Sequence, residues 1–83
     1  MSTISVLIPD DTFAVVRRAP EEIAREMRIA VAVRWYDLGI VSQGKGAEIA
    51  GLSRAEFIDA LSEFGVSACQ ETVAEIQEAI RRG

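Results

Sequence analysis

The sequence predicts a mainly α-helical domain with a short N-terminal strand, and it indicates that this domain contains a helix-turn-helix and is dimeric. Three observations favour this fold class. Apolar residues recur at helical spacing along most of the chain, serines and glycines stand where helices would begin and end, and alternating β-branched residues open the chain.

The chain is expected to form a single domain, residues 1–83. Of its 83 residues 49% are hydrophobic, which is generous for this length. A domain so small nevertheless buries only about 60% of the surface that its unfolded chain exposes. We therefore expect it to complete its core by pairing with a second copy or with a partner.

The composition excludes several function classes. Histidine is absent and Cys69 is the single cysteine, so zinc sites of the Cys/His type and Cys-His or Ser-His catalytic pairs cannot be assembled. We expect no cofactor and no enzymatic activity. The net charge of −4 argues against non-specific binding to polyanions or anionic membranes. The lone thiol, with no visible signal peptide or membrane-spanning run, indicates a cytoplasmic protein.

The N-terminal segment reads as a strand over residues 2–8. The β-branched residues Ile4, Val6 and Ile8 alternate there with Thr3, Ser5 and Leu7, until Pro9 and two aspartates interrupt the pattern. A lone strand cannot pair its backbone groups, so it needs a second strand. That strand comes either from residues 65–70 of the same chain or from another copy.

Two helices are predicted before residue 40. The aspartates at 10–11 can cap a short helix that ends near Arg18, with Phe13 and Val16 facing inward. Pro20 then starts a helix of about 18 residues that ends at Gly39. Its expected apolar stripe comprises Ile23, Met27, Ala30 or Val31, and Leu38.

The second half of this long helix is apolar on more than one side, since Val31, Val33, Trp35 and Tyr36 cannot share one face. Such a helix lies centrally in a core or forms an oligomer interface, and the sequence leaves both open. The two aromatic residues could also stack on bases, but the lack of flanking cations beyond Arg34 favours packing.

Residues 42–64 have the outline of a helix-turn-helix. Ser42 can cap a helix over 43–50 that Gly51 ends, and Ser53 with Glu56 forms a capping box for a second helix that stops at Gly65. The second helix is expected to bury Phe57, Ala60 or Leu61, and Phe64. Ala47, four residues before Gly51, is small enough for a close approach of the two helices. An ordinary helical hairpin is the alternative.

A phosphate-binding loop is a weaker interpretation of the same stretch. The residues Gly44, Lys45 and Gly46 lack the G-x-x-x-x-G-K-[ST] spacing that wraps backbone amides around phosphates. The two glycines instead weaken the first helix, each by about 0.5–1 kcal/mol relative to alanine.

If residues 42–64 bind DNA, the charge of this stretch is unfavourable. It carries two cations against four carboxylates, and Ile58 beside Asp59 suits a protein partner at least as well. More positive charge lies in the first half, at Arg17, Arg18, Arg25, Arg28 and Arg34. The candidate DNA-contacting residues are Gln43, Lys45, Ser53, Arg54, Ala55, Asp59 and Ser62.

An amphipathic C-terminal helix is predicted over residues 72–82. Thr72 and Glu75 form a further capping-box candidate ahead of an apolar face and two terminal arginines. The helix either closes the core of this domain or binds a partner. With Ile58, the candidate partner-binding residues are Val73, Ile76, Ile80, Arg81 and Arg82.

The stretch "YDLGIVSQGKGAEIAGLSRAEFIDALSEFGV" resembles the core of an uncharacterised family of small prokaryotic predicted antitoxins. The family pattern matches here at Tyr36, Gly39, 41–42, 44–45, 47–48, 50–53, 56–57, Leu61 and 65–66, and the N-terminal strand before Pro9 also fits. Gly46 departs from the pattern, which usually has alanine there, and should loosen the first motif helix.

The resemblance implies a helix-turn-helix antitoxin, often encoded beside a PIN-domain ribonuclease toxin, that neutralises the toxin and represses its own operon. It implies operator DNA and the toxin as partners, a homodimer, and no enzymatic activity. Antitoxin tails of this kind often lay a helix in a toxin groove, with an arginine in the acidic metal site of the nuclease. The alternatives are a stand-alone transcription regulator and a protein-interaction module without DNA binding.

Overall fold

The computed structural model describes residues 2–68 and contains four helices in that range. They are α1 (Thr12–Val16), α2 (Pro20–Asp37), α3 (Gln43–Ala50) and α4 (Arg54–Glu63). The mainly helical fold class is thereby confirmed. The bounds of α2, α3 and α4 agree with the predicted ones to within about a residue, which is the usual uncertainty of a helix end.

The helix ends follow the capping signals in the sequence. Ser42 and Ser53 accept hydrogen bonds from the backbone N–H groups of Lys45 and Glu56, at 3.0 and 3.1 Å, so α3 and α4 begin where the serines predict. The N–H group of Leu52 donates to the carbonyl of Ala47 at 3.0 Å, which closes a Schellman motif at the end of α3. Gly39 and Gly65 end α2 and α4 with the same hydrogen-bond pattern.

The core lies where α2, α3 and α4 meet. The largest fully buried side chains are Phe57 and Leu61 of α4, and the ring of Phe57 meets that of Tyr36 of α2 edge to face, with centroids 6.0 Å apart. Burying a side chain of this size stabilises a fold by about 1.5–3 kcal/mol. The other core members are Ala32, Val33, Ala47, Ala50 and Ala60.

The long helix α2 has two apolar faces with different roles. Ala32, Val33 and Tyr36 are buried, whereas the predicted stripe is largely wrong beyond Ile23. Met27, Val31 and Leu38 remain 40–53% exposed, because α3 and α4 cover the side of α2 that carries Tyr36. Trp35 is similarly exposed, at 38%.

The prediction of a strand over residues 2–8 is wrong, since no strand occurs in residues 2–68. Of the predicted partner segment, residues 65–70, the structure describes 65–68, and these are not a strand either. The N–H group of Val66 donates to the carbonyl of Leu61 at 2.8 Å as part of the end of α4.

The interpretation of the first short helix was also partly wrong. Asp11 precedes α1 but its side chain makes no capping hydrogen bond, and Phe13 and Val16 remain 39% and 38% exposed. Phe64, expected to face inward, is 52% exposed because it lies at the C-cap of α4, beyond the face that packs on α3. The predicted helix over 72–82, with Cys69, lies outside the described residues.

Gly46 has a packing role that the sequence did not reveal. A Cβ at this position would lie 2.7 Å from Cζ and 2.9 Å from Cε2 of Phe57, and Phe57 is fully buried. The close approach of α3 and α4 therefore depends on Gly46 as well as on the buried Ala47. Gly44, by contrast, faces open space.

We predict that Gly46→Ala destabilises the domain while Gly44→Ala stabilises it. Alanine gains about 1 kcal/mol of helix propensity at either position, but at 46 the methyl group overpacks the core at a cost of about 1–3 kcal/mol. Urea unfolding monitored by circular dichroism measures both. An equal rise in stability for the two variants would contradict the close approach of Gly46 to Phe57.

Candidate functional site

The three residues between α3 and α4 form a tight corner that α2 braces. Gly51 has a φ of 73°, a left-handed conformation that glycine adopts without strain. The Arg28 side chain of α2 lies over it, and its Nε donates to the carbonyl of Ile49 at 2.9 Å. A Cβ at Gly51 would lie 3.3 Å from both Nη atoms of Arg28, so both backbone geometry and space favour glycine.

The start of α4 is held by a reciprocal capping box. The Glu56 carboxylate accepts from the Ser53 N–H group at 2.8 Å, and the Ser53 hydroxyl oxygen accepts from the Glu56 N–H group at 3.1 Å. The backbone hydrogen bond from Ser53, followed by the side-chain one, lowers the pKa of Glu56 below its ordinary value of 4.5. The charged carboxylate therefore stabilises the first turn of α4.

One face of α4 points outward, as expected. Ser53, Arg54, Ala55, Ile58, Asp59 and Ser62 are all exposed, and the exposed fraction of Ile58 is 39%. The structure thus brings most of the predicted DNA-contacting residues onto one surface. Lys45 of α3 is also exposed, but its ammonium group pairs with the Glu48 carboxylate at 3.0 Å.

Gln43, which was predicted to contact DNA, is instead buried, with only 6% of its surface exposed. Its Oε1 accepts from Nε of Arg54 at 2.9 Å. Its Nε2 donates to the carbonyl of Ala68 at 3.5 Å, and the Tyr36 hydroxyl donates to the same carbonyl at 3.1 Å. Gln43 therefore holds the Arg54 side chain from within the fold and does not itself face solvent.

The contributions of Arg28 and Tyr36 to this site were missed from the sequence. Arg28 reaches a carbonyl 21 positions away, and Tyr36 reaches one 32 positions away. No local pattern signals contacts at such separations. The one available hint was the glycine at 51, which leaves room for a side chain from another helix.

An open groove of about 540 Å³ lies between α2 and this corner. Its lining carries two arginines and two glutamates, so it presents no single sign of charge. The lining residues are Glu21, Ala24, Arg25, Arg28, Ala50, Gly51, Leu52 and Glu56. Within residues 2–68 no cluster of acidic or cysteine side chains is arranged to bind a metal ion.

A model described as "Uncharacterised protein family (UPF0175)" matches residues 1–82. A UPF0175 protein of Aeropyrum pernix is 40% identical over 50 residues, which cover 60% of this chain and 56% of that protein. A UPF0175 protein of Halobacterium salinarum is 42% identical over 60 residues, which cover 69% of this chain and 61% of that protein.

The matched part of the chain thus spans about three fifths of the length of these relatives. No solved structure matches the chain. Among the described residues, no helix is both long and apolar enough to cross a membrane.

We predict that acid weakens the first turn of α4. Because the pKa of Glu56 is lowered in the folded state, its contribution to stability is present above its ordinary value of 4.5 and is lost as pH falls through the lowered value. Glu56→Gln should therefore lower the free energy of unfolding at pH 7 by more than it does at pH 3. Urea unfolding at the two pH values measures this.

The matched control is Glu63→Gln. It removes the same charge from the C-terminal end of α4, where a carboxylate is unfavourable to the helix dipole, and should not lower stability at pH 7. Equal losses for both variants at pH 7 would count against the role of the capping box.

Proposed function

The chain belongs to the UPF0175 family, and we propose its function from the arrangement of α2, α3 and α4. It is an antitoxin-like homodimer that binds operator DNA through α3, the corner at 51–53 and α4, and it neutralises a PIN-domain ribonuclease toxin without catalytic activity of its own.

The observation that carries the DNA half is the placement of Arg54. In helix-turn-helix proteins the N-terminal residues of the second helix contact base edges in the major groove. Arg54 occupies the first turn of α4, is exposed, and its Nε is bound by the buried Gln43. Its Nη groups therefore extend from a fixed base, which suits a bidentate contact with guanine.

The charge of the surface limits its affinity. Lys45 is paired with Glu48, and Asp59 and Glu63 lie on the same helix as Arg54. With few unpaired cations, one copy releases few counterions from the DNA backbone. A homodimer doubles the contacts, and toxin binding can add further positive charge, so binding should be weak for one copy alone.

The toxin half rests on the resemblance to predicted antitoxins and on the pattern of residues 72–82. Val73, Ile76 and Ile80 repeat at helical spacing before Arg81 and Arg82. A helix of this kind can lie in an apolar groove, and an arginine can reach the acidic metal site of a nuclease.

A protein-interaction module is the second candidate function, and the exposure of Ile58 favours it. At 39% exposed, Ile58 lies next to Asp59 in the centre of the outer face of α4. An apolar residue among carboxylates at this place would suit a protein surface better than phosphates.

We predict that Arg54→Ala weakens binding to a fragment of the chain's own promoter. A bidentate arginine–guanine contact contributes about 1–3 kcal/mol, so the affinity should fall about tenfold or more, since 1.4 kcal/mol corresponds to about tenfold. Arg34→Ala is the matched control, because it removes the same charge from an exposed site on α2 whose only ion pair among the described residues is a 3.8 Å contact with Asp37.

Fluorescence anisotropy over a series of salt concentrations, with and without co-purified toxin, makes the comparison. Gln43→Met should give an intermediate loss, since it keeps the side-chain volume but removes the acceptor for Arg54. If neither preparation shows a salt-dependent interaction with the fragment, or if Arg34→Ala weakens it as much as Arg54→Ala, the DNA half is wrong.

For the toxin half, we predict that the double variant Arg81→Ala, Arg82→Ala inhibits a PIN-domain nuclease encoded beside this chain at least about tenfold less well. A charged hydrogen bond contributes about 1.5–3 kcal/mol, and two are removed. The control is Arg25→Ala, Arg34→Ala, which removes the same charge from α2 and should inhibit normally. Full inhibition by both double variants would argue against the arginine tail.

A further inference from the structure

The N-terminal arm, residues 2–8, is exposed along residues 2–7, and Ile8 is half-buried. Leu7 is 99% exposed, Ile4 84% and Val6 59%. The arm makes no hydrogen bond to any other described residue, and the molecule extends to 53 Å along its longest axis. A segment rich in β-branched residues is therefore presented to solvent beside a small helical core.

The pattern of the arm is that of a strand with one apolar face. Ile4, Val6 and Ile8 fall on one side, and Thr3, Ser5 and Leu7 on the other. No strand among residues 2–68 supplies an edge for it. Its backbone donors and acceptors face solvent, where a strand from outside the described fold can pair with them.

We propose that this outside strand is the same arm of a second copy, so that two chains form an antiparallel two-stranded ribbon centred on Ser5. The inference deepens the homodimer part of the proposed function by naming the surface. Residues 2–8 carry no charged side chain, so two identical arms meet without the repulsion that like charges cause across strands.

The register follows from the alternation. Pairing of residue i with 10−i places Ile4 opposite Val6 and keeps the apolar faces of both strands on one side. A shift by one residue would turn one apolar face toward the other strand's polar face. A shift by two in one direction would set Pro9, which has no N–H group, opposite Thr3, and in the other direction it would leave Ile8 with no opposed residue.

A ribbon needs apolar side chains to cover it, since an isolated pair of strands is only marginally stable, and the helices leave several such side chains exposed. Phe13 and Val15 of α1 are 39% and 72% exposed, and Met27, Val31 and Trp35 of α2 are 38–40% exposed.

Cysteine crosslinking tests the register. In a Cys69→Ser background of the full chain, single substitutions Thr3→Cys, Ser5→Cys and Leu7→Cys are oxidised at a concentration where sedimentation shows a dimer. Opposed residues in an antiparallel pair have Cα atoms about 4.5–5.5 Å apart, within the range of about 4.4–6.8 Å that a disulfide needs. Only Ser5→Cys faces its own copy, so it should crosslink at least about tenfold faster than the other two.

A charge test is independent of disulfide chemistry. Val6→Lys places a charge on the apolar face, whereas Thr3→Lys places the same charge on the opposite face and is the matched control. Val6→Lys should weaken dimerisation at least about tenfold more than Thr3→Lys. Both should keep the helical circular dichroism of the parent, because the arm is outside the core.

Equal crosslinking at all three positions, a dimer unaffected by Val6→Lys, or a protein that stays monomeric at every concentration would overturn the inference. The two proposals fail in different ways. If the protein binds operator DNA or inhibits a toxin but Ser5→Cys does not crosslink faster than the other two variants, only the ribbon is wrong. If Ser5→Cys crosslinks fastest but the protein shows neither activity, only the proposed function is wrong.

Discussion

The contact between the Phe57 ring and the bare backbone of Gly46 is the constraint on which the arrangement of the helices depends. Phe57 is fully buried, meets Tyr36 of α2 edge to face, and lies where a Cβ on α3 would be 2.7 Å from its Cζ. One side chain of α4 thus sets the distances to both other helices of the core. Because protein interiors are close-packed, a methyl group added at Gly46 requires a shift of the Phe57 ring or of the helices around it.

The candidate site depends on this packing. Gln43 begins α3 and Arg54 begins α4, so the 2.9 Å hydrogen bond between them exists only while the two helices cross at their present distance. The carbonyl of Ala68 receives both Gln43 and Tyr36, which joins the chain leaving α4 to the same network. The fixed orientation of Arg54 at the surface therefore depends on contacts made by residues of all three helices.

Local signals predicted the helices well, because a capping box or a glycine after the last turn depends on residues within four or five positions. Ser53 with Glu56 and the end of α3 at Gly51 belong to this class, as does the outward face of α4. The burial of Gln43, the role of Gly46 and the reach of Arg28 to Ile49 depend on which helices meet, and no spacing encodes that. The strand over residues 2–8 failed for the same reason, since a strand is defined by its partner.

The exposed arm and the small number of cations on the outer face of α4 are connected through the proposed homodimer. In the proposed complex with DNA, a helix that carries both Arg54 and Asp59 can distinguish bases but gains little from the phosphate backbone, so its affinity depends on the number of contacts made at once. The proposed homodimer would present two such helices in fixed register, as half-sites in DNA require. The same proposal gives a physical reason for the apolar residues that stay exposed in the described part of one chain: a second chain would cover them.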